Sequence, residues 1–148
     1  MKLILNYKEN IMNIIKLIRF IVLSIISKVI YIDLDGTLFS DVLDKWFINN
    51  DYNVNLYNKL YVNNLDINYK LILCIRLVKI FGVEVNILTN RGYKQAKMTL
   101  DNLGKYSKLF NKFIFCQGLK KLYRLKGLLV DNEVKYNKVC DTFMYYKF

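Results

Sequence analysis

Between Lys28 and Ser40 the chain reads KVIYIDLDGTLFS, and no other stretch constrains the fold as much. Val29, Ile30, Tyr31 and Ile32 are β-branched or aromatic with no polar alternation, the composition of a strand buried on both faces. Such strands belong to parallel sheets covered by helices. The expected fold is therefore α/β: a doubly wound, mostly parallel, Rossmann-like sheet with helices on both faces. The run ends in two carboxylates, Asp33 and Asp35, before Gly36 and Thr37 break the strand and turn the chain. Open α/β sheets bind ligands outside the carboxyl ends of their strands, which is where a reactive acid belongs. Residues i and i+2 of an extended segment point the same way, and Gly36 allows a bend that carries Asp35 over the site. A bare Asp-Gly turn requires neither the preceding acid nor the buried run that leads into it.

Further strand ends follow along the chain. Ile67 to Phe81 (INYKLILCIRLVKIF) alternates apolar and basic residues at helical period and stops at Gly82, a natural residue just past a helix end. Val83 to Leu88 (VEVNIL) reads as a second strand, followed at once by Thr89-Asn90-Arg91-Gly92. Tyr93 to Leu103 reads as a helix ended by Gly104, Lys112 to Cys116 as a third strand, and Gly127 to Asp131 (GLLVD) as a fourth, again ending in acid. Val139 to Tyr146 completes the set. A short helix is expected over Asp41 to Ile48, with Trp46 and Phe47 as its apolar contacts, and a loop from there to Asn68. At 148 residues the chain has the length of one domain.

Composition narrows the chemistry. There is no histidine, which excludes Ser-His-Asp hydrolases, histidine phosphatases and histidine metal sites. The three cysteines, Cys74, Cys116 and Cys140, form no CxxC pair and lie in apolar contexts. They read as free buried thiols in a reducing compartment, the cytoplasm, rather than as a zinc site. A cysteine phosphatase needs Arg six residues after Cys, where Cys116 has Leu122 and Cys74 has Ile80. No GxxxxGK[ST] phosphate loop is present. The net charge of +11 favours an anionic substrate and permits nucleic acid. Nineteen of the 23 basic residues are scattered lysines, and the chain is also rich in Asn, Ile and Tyr with a single alanine, Ala96. An AT-rich coding sequence imposes the same bias, so the charge alone assigns no partner.

Asp33-Leu34-Asp35-Gly36-Thr37-Leu38 resembles the first signature of the haloacid-dehalogenase (HAD) superfamily of phosphohydrolases, and the whole of 28–148 is similar to a small, cap-less (C0-type) catalytic domain of that superfamily. The resemblance implies that Asp33 attacks phosphorus and carries an aspartyl-phosphate. It implies that Asp35 protonates the leaving group and then activates water. An ionised carboxylate can serve as the nucleophile, and a second within reach of the same atoms can serve as acid and then base. Gly36 and Thr37 would line the substrate, and the Thr89 hydroxyl would bind a phosphate oxygen. Thr89 has an alternative role as the cap of the next helix. Asn90 and Arg91 would contact the substrate, a solvated turn being the equal alternative. The superfamily also requires a lysine ahead of the last acidic strand. Lys120 is favoured by the pattern Lys-x-Leu at 120–122, with Lys121 and Lys126 as the other candidates. Asp131 would hold Mg²⁺ together with Asp33 and the backbone carbonyl of Asp35, a set of hard oxygen ligands.

Where many members have a second acid, this chain has Asn132, followed by Glu133. An Asp-Asn pair resembles the phosphatases of the RNA polymerase tail. The expected activity is Mg²⁺-dependent phosphomonoester hydrolysis, on nucleotides or polynucleotide ends. The alternatives are a protein phosphatase of the polymerase-tail type and a catalytically degenerate binding protein.

Residues 1–27 precede the first strand as a separate helical segment. Within Ile11 to Ile26 the polar residues Asn13, Lys16, Arg19 and Ser24 form roughly one stripe opposite a wide apolar face. An amphipathic helix packed on the domain ranks first. Membrane contact through residues 11–26, as an interfacial or signal-anchor segment, ranks below it, because Lys16, Arg19 and Lys28 interrupt any window of about twenty apolar residues. Third is an upstream extension, with Met12 as an alternative start.

Overall fold

The computed structural model describes residues 1–39, 66–119, 125–131 and 144–146. Helix α1 (Lys2–Ser27) leads into strand β1 (Val29–Ile32). Helix α2 (Tyr69–Ile80) precedes β2 (Glu84–Thr89), and α3 (Ala96–Leu103) follows it between 3₁₀ turns at Tyr93–Gln95 and Gly104–Leu109. Strands β3 (Lys112–Phe115), β4 (Leu128–Val130) and β5 (Met144–Tyr146) complete the set. The short helix expected over Asp41–Ile48 and the loop that follows it lie outside the described residues.

The strands form one five-stranded sheet in the order β3-β2-β1-β4-β5, and every pairing is parallel. From β1 the chain steps outward to β2 and β3. It then returns past β1 to lay down β4 and β5 on the other side. The strand order therefore reverses between β1 and β4, and a crevice opens at such a reversal outside the carboxyl ends of the strands.

β1 is buried on both sides because its alternate residues feed different clusters. Ile30 and Ile32 join Val85, Ile87, Leu128 and Val130 in the main core, against Phe20 of α1, Leu71, Ile72, Ile75 and Val78 of α2, and Met98 and Leu103 of α3. Tyr31 faces the other way, with Leu88, Leu129 and Cys116 in a smaller cluster. The described helices thus pack on one face. The expected helices on the second face have no counterpart among the described residues, since part of the β3–β4 connection lies outside them. Complete burial of an aliphatic side chain is worth about 1.5–3 kcal/mol. Continuous apolar runs rather than alternating ones are what two-sided burial selects.

Two glycines meet backbone demands that few other residues satisfy. Gly127 enters β4 at φ 147°, and a Cβ there would stand 2.5 Å from the Val29 carbonyl oxygen. Gly36 takes φ 83° in the turn after β1. Helix α2 is trimmed at its start relative to the expected Ile67–Phe81 because Asn68 caps it: the Asn68 side-chain oxygen accepts from the Leu71 N–H at 3.2 Å.

Helix α1 departs most from expectation. It fills nearly the whole of the expected 1–27 segment, yet only its last third packs on the domain. Phe20 and Ser24 are buried, with Leu17, Ile21 and Leu23 half-buried against the core. Every residue from Met1 to Lys16 is exposed. Ser24 sits inside the contact rather than on a solvated stripe, and its hydroxyl donates to the Phe20 carbonyl at 2.7 Å, a local bond that lets a polar residue be buried in a helix. Phe20 lies in the same core as the sheet, so packing crosses the boundary expected between residues 27 and 28. By length and composition α1 is also apolar enough to cross a membrane.

Candidate active site

Register brings three strand ends together. Ile32 pairs with Ile87 of β2 on one side and Val130 of β4 on the other. One step further along β1 lies Asp33, beside Asp131 on β4, and its N–H donates to the Val130 carbonyl at 3.0 Å. Thr89 ends β2 on the opposite flank. Asp33, Thr89 and Asp131 therefore stand on three adjacent strands at the reversal of the strand order, exposed by only 8%, 1% and 0%.

The turn after Asp33 is tightly built. The Leu38 N–H donates to the Asp33 carbonyl at 3.3 Å, the Phe39 N–H to Leu34 at 2.9 Å, and the Gly36 N–H to Phe39 at 3.0 Å. Leu34, Leu38 and Phe39 are buried in the main core and anchor this turn. Phe39 bridges to Ile67, and the Asn68 N–H donates to Leu38 at 2.8 Å, tying the turn to the start of α2. The buried Thr37 hydroxyl donates to Asp33 Oδ2 at 3.2 Å. Thr37 thus bonds the carboxylate that it follows, while its expected place was against substrate.

Asp35 does not share Asp33's partner. Both of its carboxylate oxygens are held by Arg91: Nη2 reaches Oδ1 at 2.7 Å and Nε reaches Oδ2 at 2.9 Å. This is a bidentate pair, the strongest form of carboxylate–guanidinium contact. Arg91 also donates from Nη1 to the Thr99 hydroxyl of α3 at 3.0 Å, and its guanidinium carbon lies 5.4 Å from the centre of the Phe39 ring. Its side chain is 3% exposed, against 18% for Asp35. The alternation that would aim Asp33 and Asp35 alike fails because the chain is already turning at Leu34. A solvated Arg91 was one of two expectations for this residue, and it is instead buried on Asp35.

Thr89 is not the cap of the following helix. Its hydroxyl oxygen accepts from the Arg91 N–H at 3.2 Å, a turn closed by a threonine side chain. The cap position falls to Gly92, whose N–H donates to Gln95 Oε1 at 3.0 Å. The exits of β2 and β3 are laced together, with the N–H groups of Cys116, Gln117 and Gly118 donating to the carbonyls of Thr89, Arg91 and Asn90. The Asn90 residue itself is exposed. Lys120, Lys121, Asn132 and Glu133 lie outside the described residues. Lys126 is exposed at the amino end of β4, the end opposite Asp131.

Among the described residues no group of three acidic or cysteine side chains is gathered to hold a metal. The ligand set implied by the resemblance is of another kind, two carboxylates and one carbonyl. Asp33 and Asp131 at adjacent strand ends, and the Asp35 carbonyl in the turn that follows Asp33, are hard oxygen donors of the sort Mg²⁺ takes while retaining waters. By donor type the set suits that ion. Thr37, Phe39 and Thr99 were not foreseen as supports of the two acids. Thr37 reaches Asp33 within one local turn, whereas only the folded alignment of β1, β2 and α3 brings Arg91 and Thr99 to Asp35. No family model, no curated protein and no solved structure matches the chain.

Proposed function

We propose that the chain is a Mg²⁺-dependent phosphomonoester hydrolase of the HAD type, working through an aspartyl-phosphate on Asp33. One observation carries this assignment: Asp33, Thr89 and Asp131 end three adjacent parallel strands at the point where the strand order reverses. The α/β fold alone would host many chemistries. Two acids and a hydroxyl placed at adjacent strand ends beside the reversal point are a narrower arrangement.

Asp33 attacks phosphorus, its carboxylate oriented by the Thr37 hydroxyl. Asp35 gives a proton to the leaving oxygen and then takes one from the water that releases phosphate. The Thr89 hydroxyl accepts from the Arg91 N–H and has its own proton to offer a phosphoryl oxygen. Lys120 is the cation assigned to the same oxygens. Asp33, Asp131 and the Asp35 carbonyl would hold Mg²⁺, which supplies positive charge against the charge that develops on the phosphoryl group. For Asp35 to act, its carboxylate must exchange Arg91 for the substrate, and Gly36 is the hinge beside it.

A second assignment, a binding protein that keeps the fold without turnover, is favoured by that same pair, because both Asp35 oxygens are engaged. Hydrolysis of p-nitrophenyl phosphate with Mg²⁺ and with EDTA separates the two. Metal-dependent turnover that Asp33→Asn abolishes supports the hydrolase. Equal rates in Asp33→Asn and the natural chain would refute it, and Mg²⁺ binding without turnover on any phosphomonoester would favour the binding protein.

A further inference from the structure

Helix α1 has two faces that change character at different points along its length. One row contains Asn6, Asn13, Leu17, Phe20 and Ser24. Its last three members press on the domain, and its earlier ones are polar and exposed. On the opposite side lie Ile4, Ile11, Ile15, Ile18, Val22 and Ile25, at helical spacing throughout. All six are exposed, from 39% at Ile25 to 62% at Ile4. The apolar stripe runs from Ile4 to Ile25 of the 26-residue helix, about 33 Å at about 1.5 Å per residue. It passes unbroken behind the segment that docks on the domain.

We infer that this stripe is a membrane-surface contact: α1 lies in the headgroup region of an anionic bilayer, with the domain held on its far side. Three observations select this occupant. The polar row of the free part faces away from the stripe, as an interfacial helix requires, with water on one side and acyl chains on the other. The helix carries four basic residues against the single acid Glu9, in a chain of net charge +11. That complements anionic headgroups and repels a second copy of itself. The stripe also includes the adjacent pairs Ile14–Ile15 and Ile25–Ile26, a wider surface than the two-residue seam of a paired coil.

Spanning is disfavoured by geometry. With the last third docked on the domain, a span would have to draw on the polar-rich turns ahead of Leu17. Lys8, Glu9, Asn10 and Asn13 would all enter the hydrocarbon core.

The test is co-sedimentation of the full chain with phosphatidylcholine vesicles, with and without phosphatidylglycerol. It is repeated for Ile15→Glu/Ile18→Glu on the stripe and Asn6→Glu/Asn13→Glu on the opposite row, two variants of equal charge. Circular dichroism and the thermal midpoint verify that each is folded. The natural chain should sediment with the anionic vesicles. Partitioning should fall at least tenfold in the stripe variant and less than threefold in the other. Equal losses in the two variants, or no sedimentation with anionic vesicles, would overturn the inference. So would resistance to alkaline carbonate, which marks a spanning helix. A dimer by light scattering that the stripe variant dissolves would assign the stripe to a second copy instead.

Discussion

The pair Asp35–Arg91 is asymmetric in burial, and that asymmetry predicts how each partner's loss is felt. Asp35→Ala removes both charged hydrogen bonds and leaves a guanidinium 3% exposed. Thr99 at 3.0 Å and the face of Phe39, neither of them charged, remain beside it. Breaking a buried pair by deleting one partner costs about 3–5 kcal/mol, because the remaining charge is stranded. Arg91→Met keeps most of the stem volume and leaves a carboxylate whose side chain is already 18% exposed. Water reaches that carboxylate, so the loss is nearer the about 1.5–3 kcal/mol of a hydrogen bond to a charged group. Removing both groups strands nothing, and the double variant should recover most of the Asp35→Ala loss. Against a total stability of about 5–15 kcal/mol the single effects are large. Urea unfolding at pH 7, followed by circular dichroism at constant slope, reads all three differences. A cost below about 1 kcal/mol for Asp35→Ala, or a larger cost for Arg91→Met than for Asp35→Ala, would refute the reasoning.

Gly127→Ala should lose about 2–4 kcal/mol, the upper range of backbone strain with the close approach to Val29 added, and urea unfolding will show it. Burial pushes the Cys74 thiol above its ordinary 9.0. Its contribution to stability is therefore complete below that value and lost as the pH rises past it, where the unfolded chain ionises first; iodoacetamide mapping at pH 8 should find Cys74 unlabelled until urea is added. The Glu84 carboxyl is held below its ordinary 4.5, first by the Asn86 amide at 3.0 Å and then by Lys112 at 3.3 Å. That small surface contribution is present above about pH 4.5 and lost as the pH falls through the folded value, so the difference in thermal midpoint between Glu84→Gln and the natural chain should shrink steadily as the pH is lowered from there.

What was legible in the sequence follows from burial. β1, β2 and β4 are buried on both faces and so lack polar alternation, which makes them visible as short apolar runs. Each also ends at a chemically distinct residue, Asp33, Thr89 or Asp131, so the strand ends and their candidate chemistry were legible together. How little of α1 packs on the domain was not. Lys2, Asn6, Lys8, Glu9 and Asn10 dilute the apolar signal near its start, and every residue there is exposed, so no core-facing pattern is imposed on it. The 3₁₀ turn over Gly104–Leu109 was hidden for a similar reason, since Gly104 reads as a stop and a short helix carries too few turns to show a period.

The Asp35–Arg91 pair was illegible for a deeper reason. A strand period of two holds only while the backbone stays extended, and the chain turns at Leu34, one residue past the paired strand. From that point the direction of Asp35 depends on Gly36 and on Phe39, which is pinned by Ile67 and the main core. Arg91 stands equally beyond its own strand, aimed by the hydroxyl of Thr89 and received by Thr99 from α3. Two residues 56 positions apart meet because parallel pairing sets Ile32 opposite Ile87, so the two turns leave the sheet side by side. Register is a property of the assembled sheet, and a one-residue slip would send each side chain to the other face. The proposed acid–base residue is therefore aimed by contacts that no local pattern around Asp35 encodes, while Asp33, one step past the paired strand, is placed by the strand itself.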